Sequence, residues 1–196
     1  MSRLLKSVKV NEAKLKRYSN RLGANVLIES VGSHNCEQVL KPVKLPWMTD
    51  AETARLVDEQ MLCRIAFRGD DYPYLAPFRY VVMDDAPYFH FTDYGKKMRL
   101  LETDSRACVQ IESYEPDLSE YSFVSYRGRL VRVTESEERD KAIRLFAETG
   151  KKRLSTKFLA AHGIEPGEGW GEFTPEKDFV IVKLVDVVEK VGLKNP

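Results

Sequence analysis

Cysteine, histidine and long apolar runs are what this chain has least of. Its 196 residues include three cysteines, Cys36, Cys63 and Cys108, far apart and with no C-x-x-C pair. An odd, scattered set reads as reduced thiols, not as a disulfide framework or a zinc site. The three histidines, His34, His90 and His162, stand at no metal-ligand spacing, so a metalloenzyme is not indicated. No apolar stretch reaches the ~20 residues of a membrane span, and the N-terminus lacks the apolar core of a signal peptide. A cytoplasmic protein with no membrane partner is expected. A G-x-G-x-x-G turn, a phosphate-binding P-loop and a G-x-S-x-G elbow are all missing, which sets aside the dinucleotide, nucleotide and hydrolase readings those motifs carry.

The composition that is present, 43% apolar, 31% charged and 10% aromatic, is that of an ordinary globular protein. A net charge of +1 singles out no partner. Seven basic residues between Met1 and Leu22 face the single acid Glu12, however. That arm reads as a solvated tail or surface helix, with a nucleic-acid contact as the alternative. Residues 1–46 are weakly patterned and are expected to be an extension and linker, with one domain over 47–196.

Patterning sharpens after Pro46. Thr49 and Glu52 form a capping box, and Ala54, Val57 and Met61 follow at helical spacing, so a helix is predicted from about Asp50 to Gln60. The period then drops to two. Cys63, Ile65 and Phe67 alternate with Arg64 and Arg68, and Gly69-Asp70-Asp71 turns the chain. The returning strand, Tyr72 to Met83, carries Pro73 and Pro77, and since proline cannot donate to a ladder, an unpaired edge or bulge is expected there. Asp84 to Pro87 turns again into an aromatic strand, in which Tyr88, His90 and Thr92 share one face and Phe89 and Phe91 the other.

Gly95-Lys96-Lys97 opens a short helix with Met98 and Leu101 inward. Strands follow at Arg106 to Glu112, at Tyr121 to Thr134 with a change of apolar phase near Gly128, and at Phe179 to Val188. Between the last two, a helix capped by Thr134 spans about Ser136 to Thr149, and a second spans Leu154 to His162. Six strands with short turns and few helices predict a mainly β fold with peripheral helices, a small antiparallel barrel.

The most informative local feature is the lysine pair. Two cations at a helix start oppose the positive end of the helix dipole, whereas the other helices begin with Asp50 and Glu52, or with Glu135, Glu137 and Glu138. A bound phosphate would reverse that sign, with ammoniums, helix N–H groups and a glycine making an anion site. A solvated lysine pair is the other reading. His90 is either a structural strand histidine or a functional one. Arg79, on the strand expected to pair with that of His90, offers hydrogen bonds to a planar polar heterocycle or forms an ion pair. Ser125, Tyr126 and Arg127 on the long strand are further candidates, or exposed strand positions.

From about Trp47 to Phe146 the order of these pieces resembles the pyridoxamine 5'-phosphate oxidase-like FMN-binding split barrels, and within them the branch associated with nitroimidazole resistance. The resemblance is carried by Met61-Leu62-Cys63-Arg64-Ile65-Ala66-Phe67, Tyr72 to Phe78, Tyr88-Phe89-His90, Gly95-Lys96-Lys97 with Leu100, and Ser105 to Val109. It implies a six-stranded antiparallel split β-barrel, working as a homodimer with FMN at the interface. The phosphate is then expected near Lys96 and Lys97, the ring along Ala76 to Val81, and His90 close to the flavin as a candidate catalytic residue.

The expected cofactor-binding set is Ala76, Pro77, Phe78, Arg79, Tyr80, Val81, His90, Phe91, Thr92, Gly95, Lys96, Lys97 and Ser125. The tail from Phe179 to Pro196 lacks the Trp- and Arg-rich end of true pyridoxamine phosphate oxidases, so pyridoxamine oxidation is not implied. The expected activity is FMN-dependent oxidoreduction of a small molecule such as a nitro-aromatic compound. A non-catalytic flavin- or haem-binding module is the alternative.

Overall fold

The structure, a computed structural model, describes residues 44–162, 164–165 and 167–195, all within the unit Val43–Pro196. The basic arm, His34 and Cys36 lie outside the described residues. Six strands form a closed antiparallel barrel: β1 (Leu62–Phe67), β2 (Tyr74–Met83), β3 (Ala86–Phe91), β4 (Arg106–Tyr114), β5 (Tyr121–Arg132) and β6 (Val180–Lys194). Around the barrel they run β1-β2-β3-β6-β5-β4, so β6 is inserted between β3 and β5 and the ring closes through β4 and β1. Among the described residues three α-helices lie outside the sheet: α1 (Asp50–Glu59), α2 (Lys96–Thr103) and α3 (Ser136–Arg153).

Alternation along the strands builds two apolar layers. Ile65, Phe67, Phe89, Phe91, Val109, Ile111, Val124 and Leu130 point inward and are fully or almost fully buried. The opposite faces of β2, β3 and β6 supply Val81, Met83, Tyr88 and Ile181, which pack with Ala142, Ile143 and Phe146 of α3 and with Trp170, Phe173 and Phe179. Tyr88 and His90 are thus on the outer side of the barrel, and Phe89 and Phe91 on the inner side, as the alternation predicts.

The prolines act as expected. Pro73 precedes β2, and Pro77 faces Arg64 of β1. Pairing of β2 with β3 covers Tyr80–Met83 against Ala86–Phe89 across a tight turn at Asp84 and Asp85, both at positive φ. Tyr74 to Arg79 therefore pair with β1 alone, and their other edge is open.

Several boundaries differ from the sequence reading. The cap of α3 is Glu135, whose carboxylate accepts from the Glu137 and Glu138 amides, not Thr134, and the helix runs one turn further to Arg153. The second helix expected over Leu154 to His162 is a 3₁₀ run, Thr156–His162. In α2 the fully buried leucine is Leu100, with Leu101 half-buried. β6 continues beyond Val188 to Lys194, and its far end is joined by Pro46–Met48, where the Lys194 amide donates to Pro46 O and the Met48 amide to Gly192 O. Part of the expected linker thus extends the sheet.

The irregularity near Gly128 is real, but the extra residues sit on β6. Register passes from Arg127↔Glu189 to Arg129↔Val185, with Asp186 at φ 49°. The inward phase of β5 holds from Val124 through Leu130, and Val133 turns apolar because α3 covers the outer face there. Gly128 is required by close approach, since a Cβ would lie 2.7 Å from Val185 O and 3.2 Å from a Leu184 methyl. Gly128→Ala is expected to destabilise by about 1–3 kcal/mol, because backbone must move to admit the methyl. A chemical-denaturation midpoint equal to that of the parent would contradict this.

Candidate functional site

The open edge of β2, the end of β3 and the covering α3 layer enclose a cavity of about 420 Å³, within the roughly 300–1,000 Å³ range of small-molecule sites. Its wall includes Ala76, Pro77, Phe78 and Arg79 of β2, His90 of β3, Thr92, and Lys97 of α2. Among the described residues, no aspartate or glutamate lines it. A hollow of about 460 Å³ beside the β4–β5 hairpin is lined by turn residues such as Glu115, Ser119 and Glu120, all exposed, and holds no buried charge.

Helix α2 starts at the cavity. Gly95, its N-cap, has φ 91° and ψ −175°, a region essentially reserved for glycine. No side chain caps the helix and its first turn has no acid, so the opening amides stay available. Lys97 turns inward. Its ammonium donates to Thr92 Oγ1 and, at 3.0 Å, to Tyr94 O, with no carboxylate among its partners, and burial pulls its pKa below the usual lysine value. Lys96 stays exposed, its ammonium 5.3 Å from the centre of the Tyr74 ring. The structure thus separates two lysines that the sequence presents as one pair.

Arg79 sits deeper, with 8% of its surface exposed. Its Nη2 donates to Phe146 O and to Thr149 Oγ1, each at 2.6 Å. The guanidinium carbon is 5.2 Å from both the Phe146 and Trp170 ring centres. Trp170 can press in because α3 carries Gly150 at that point, where a Cβ would lie 2.3 Å from the indole. Burial lowers the Arg79 pKa to about 10. The ion pair that the sequence allowed for Arg79 is not formed with any described residue. His90, half-buried, is met edge-on by Phe179 at 4.9 Å and Phe173 at 5.4 Å.

Four expected residues are placed elsewhere by this single chain. Tyr80 is in the barrel interior, its hydroxyl donating to Val57 O at 2.6 Å, and burial raises its pKa. Phe91 is interior as well, 4.6 Å from Phe78. Val81 packs beneath α3, and Ser125 lies on β5 between Gln110 and Val191. Conversely, the wall includes Leu62, Tyr74, Phe146, Phe158 and Phe173, which the sequence reading did not select. Phe146 and Phe158 were legible only as apolar positions of the two expected helices, and Phe173 lies in a segment with no regular period.

Both described cysteines are free thiols. Cys63 is buried, its pKa raised to about 12 by that burial, and Cys108 is half-buried; neither lines the cavity. Among the described residues no cluster of three His, Cys, Asp or Glu side chains is arranged to hold a metal, and no helix is long and apolar enough to cross a membrane.

Comparison with known proteins gives the same architecture. Solved structures with this fold include an FAD-binding protein from Mesorhizobium loti, at 17% identity and TM-score 0.56 over 79% of this chain and 100% of that one. A conserved hypothetical protein from Mycobacterium tuberculosis matches at 19% identity and TM-score 0.56, covering 74% of this chain and 84% of that one. A candidate 5-nitroimidazole antibiotic resistance protein from Bacteroides thetaiotaomicron matches at 14% identity and TM-score 0.53, covering 77% and 87%. No curated protein matches. The family model described as pyridoxamine 5'-phosphate oxidase matches residues 49–166, the barrel from α1 through β5 together with α3 and the 3₁₀ run. With more than half of its length so matched and a six-stranded split barrel to house it, the chain belongs to the pyridoxamine 5'-phosphate oxidase family.

Proposed function

We propose that the chain binds FMN in the β2–β3–α2 cavity and acts, as a homodimer, as a flavin-dependent oxidoreductase on a small electron-poor molecule such as a nitro-aromatic compound. The observation that carries the reading is Lys97, a partly desolvated ammonium held at an uncapped helix start, with no carboxylate partner and no acid in the cavity wall beside it among the described residues. Such a group is stabilised by an oxyanion, and FMN brings a phosphate. The residues fit that cofactor: Lys97, Thr92 and the first amides of α2 would hold the phosphate, and the unpaired edge of β2 offers backbone groups to the ring. The FAD-binding relative of the same fold points in the same direction.

When bound, the flavin supplies hydride or single-electron transfer. The chain's own part is to orient and to exclude water. Tyr74, Phe146, Phe158 and Phe173 make one side of the site dry, and His90 is the candidate for holding a proton at its wall. Exposed apolar side chains at or near this edge, Leu62, Leu75 and Tyr94, give a second copy a surface to cover. Purification in the dark, followed by an absorption spectrum and mass spectrometry of the extracted cofactor, tests the reading. Flavin bands and the mass of FMN are expected. A Soret band, or a colourless protein that takes up no added FMN, would overturn it.

A further inference from the structure

We propose that Trp170 is the gate of this cavity: it leaves its seat on α3, carried by hinges at Gly167, Gly169 and Gly171, and so opens a way in from the α3 side. The inference rests on the flavin reading in one respect, that a second copy covers the opposite, β2 edge and leaves a small ligand no entry there.

The seat is specific. Trp170 is 7% exposed, and its indole fills a notch in α3 where a Cβ on Gly150 would lie 2.3 Å from the ring. It stacks on Phe158 at 6.3 Å and 15°, meets Phe173 at 6.1 Å and stands 5.2 Å from the Arg79 guanidinium carbon. Phe158, Phe173 and Arg79 line the cavity, so Trp170 stands directly behind its wall. The seat is also incomplete. The indole Nε1 is enclosed with no acceptor among the described residues. Burial takes that donor out of water and gives it nothing in return, a cost that a withdrawn indole does not carry. A phenylalanine in the same layer would not carry it either.

The turn that bears Trp170 is lightly tethered. Between Gly167 and Phe173 only Trp170 and Phe173 are buried. The backbone bonds there run from Glu168 N to Glu165 O, Glu172 N to Gly169 O and Phe173 N to Trp170 O, and among the described residues none reaches the barrel or α3. Segments with so few bonds and buried side chains are the ones that open at low cost. At Gly167, Gly169 and Gly171 a Cβ would meet no described atom within 4 Å, so packing does not demand glycine. Gly169, at φ 75°, is demanded by its backbone; Gly167 and Gly171 have no positive φ, and what glycine adds there is freedom to move. Beyond this turn the chain is held. Phe173 stacks on Phe179 at 4.2 Å, and Arg139 donates to Pro175 O, Lys177 O and Phe179 O. Motion is thereby confined to the turn of Trp170, while the Phe173 part of the wall stays in place.

Trp47→Phe, a change at an exposed position, leaves Trp170 as the sole tryptophan. Fluorine-labelled tryptophan then gives a single reporter for fluorine NMR of the full-length protein, with and without FMN. Trp170 is expected to exchange between a solvent-shielded and a solvent-exposed environment on the microsecond-to-millisecond scale of lid motions. Gly150→Ala puts a methyl in the seat and the better helix former in α3, and should move the reporter to the exposed environment. Gly167→Ala with Gly171→Ala should lower the exposed population at least about threefold, because alanine removes freedom that the withdrawn turn uses. FMN uptake in stopped flow should slow by the same factor, in protein whose melting curve shows that it is folded. A single shielded resonance without exchange in the parent, populations unmoved by the alanine pair, or uptake at the parent rate in that pair would each overturn the gate. The cofactor reading fails separately. Exchange at Trp170 in a protein that takes up no FMN removes the flavin and keeps the gate, whereas FMN bound beside a Trp170 that never leaves its seat does the reverse.

Discussion

Lys97→Glu is expected to strip the protein of its flavin, at a cost to FMN affinity of about 2–5 kcal/mol, the range for breaking a buried, hydrogen-bonded charge pair. Lys96→Glu alone should cost about 1 kcal/mol or less, because that ammonium is exposed and screened. The inequality follows from the placement of the two side chains. Lys97 gives up water to reach Thr92 and Tyr94 at the cavity wall, while Lys96 lies over Tyr74 in solvent. A glutamate at position 97 would put a carboxylate beside the phosphate, at the very helix start whose open amides should receive it. FMN retained after gel filtration and the affinity from flavin-fluorescence titration both report the effect. Undiminished occupancy in the Lys96→Glu, Lys97→Glu double variant would move the phosphate away from α2.

Most of the barrel was legible because strands declare themselves by period, and the first strands also had clear punctuation, which β6 lacked at its far end. Cys63, Ile65 and Phe67 gave β1 its inner face, and Asp84-Asp85 gave the β2–β3 turn. Pro77 marked the stretch of β2 that lacks a second neighbour, and that open edge is where the cavity forms. Lys96 and Lys97 were conspicuous for an electrostatic reason, their sign at a helix start.

What the sequence could not reveal was which of the two turns inward, since that depends on the rotation of α2 about its axis, and three-residue and four-residue spacings alone do not fix it. Arg79 shows the limit from the other side. Its neighbours Phe78 and Tyr80 belong to the barrel interior, and nothing local announces that an alternating strand position will be roofed by Phe146 and Trp170, 67 and 91 residues further on. The roof itself comes from α3 and the Trp170–Phe173 segment, whose packing against β2 and β3 is a tertiary event without a short-range signature. The displaced cap of α3 has a simpler cause. Glu135 reaches two amides with its two carboxylate oxygens, which the single hydroxyl of Thr134 could not match.

That roof is where the second large effect is expected. Phe146 is fully buried, and its ring serves the outer core, the Arg79 guanidinium and the cavity wall at once. Phe146→Ala keeps the carbonyl that accepts from Arg79 Nη2, so the hydrogen bond survives and the loss isolates the ring. About 3–5 kcal/mol of stability should go, from lost burial and from the void left between α3 and the sheet. At roughly 2–4 °C per kcal/mol for a chain of this size, the melting temperature should fall by about 10 °C.

Phe146→Leu should recover much of that stability, because it refills the layer, yet it offers Arg79 no π face and the cavity no flat wall. The two variants therefore separate what holds α3 on the barrel from what shapes the site, when thermal melts are set beside ligand affinity measured on the same samples. An alanine variant melting within about 2 °C of the parent would mean that α3 is held elsewhere, and the enclosure of Arg79 would then need another cause.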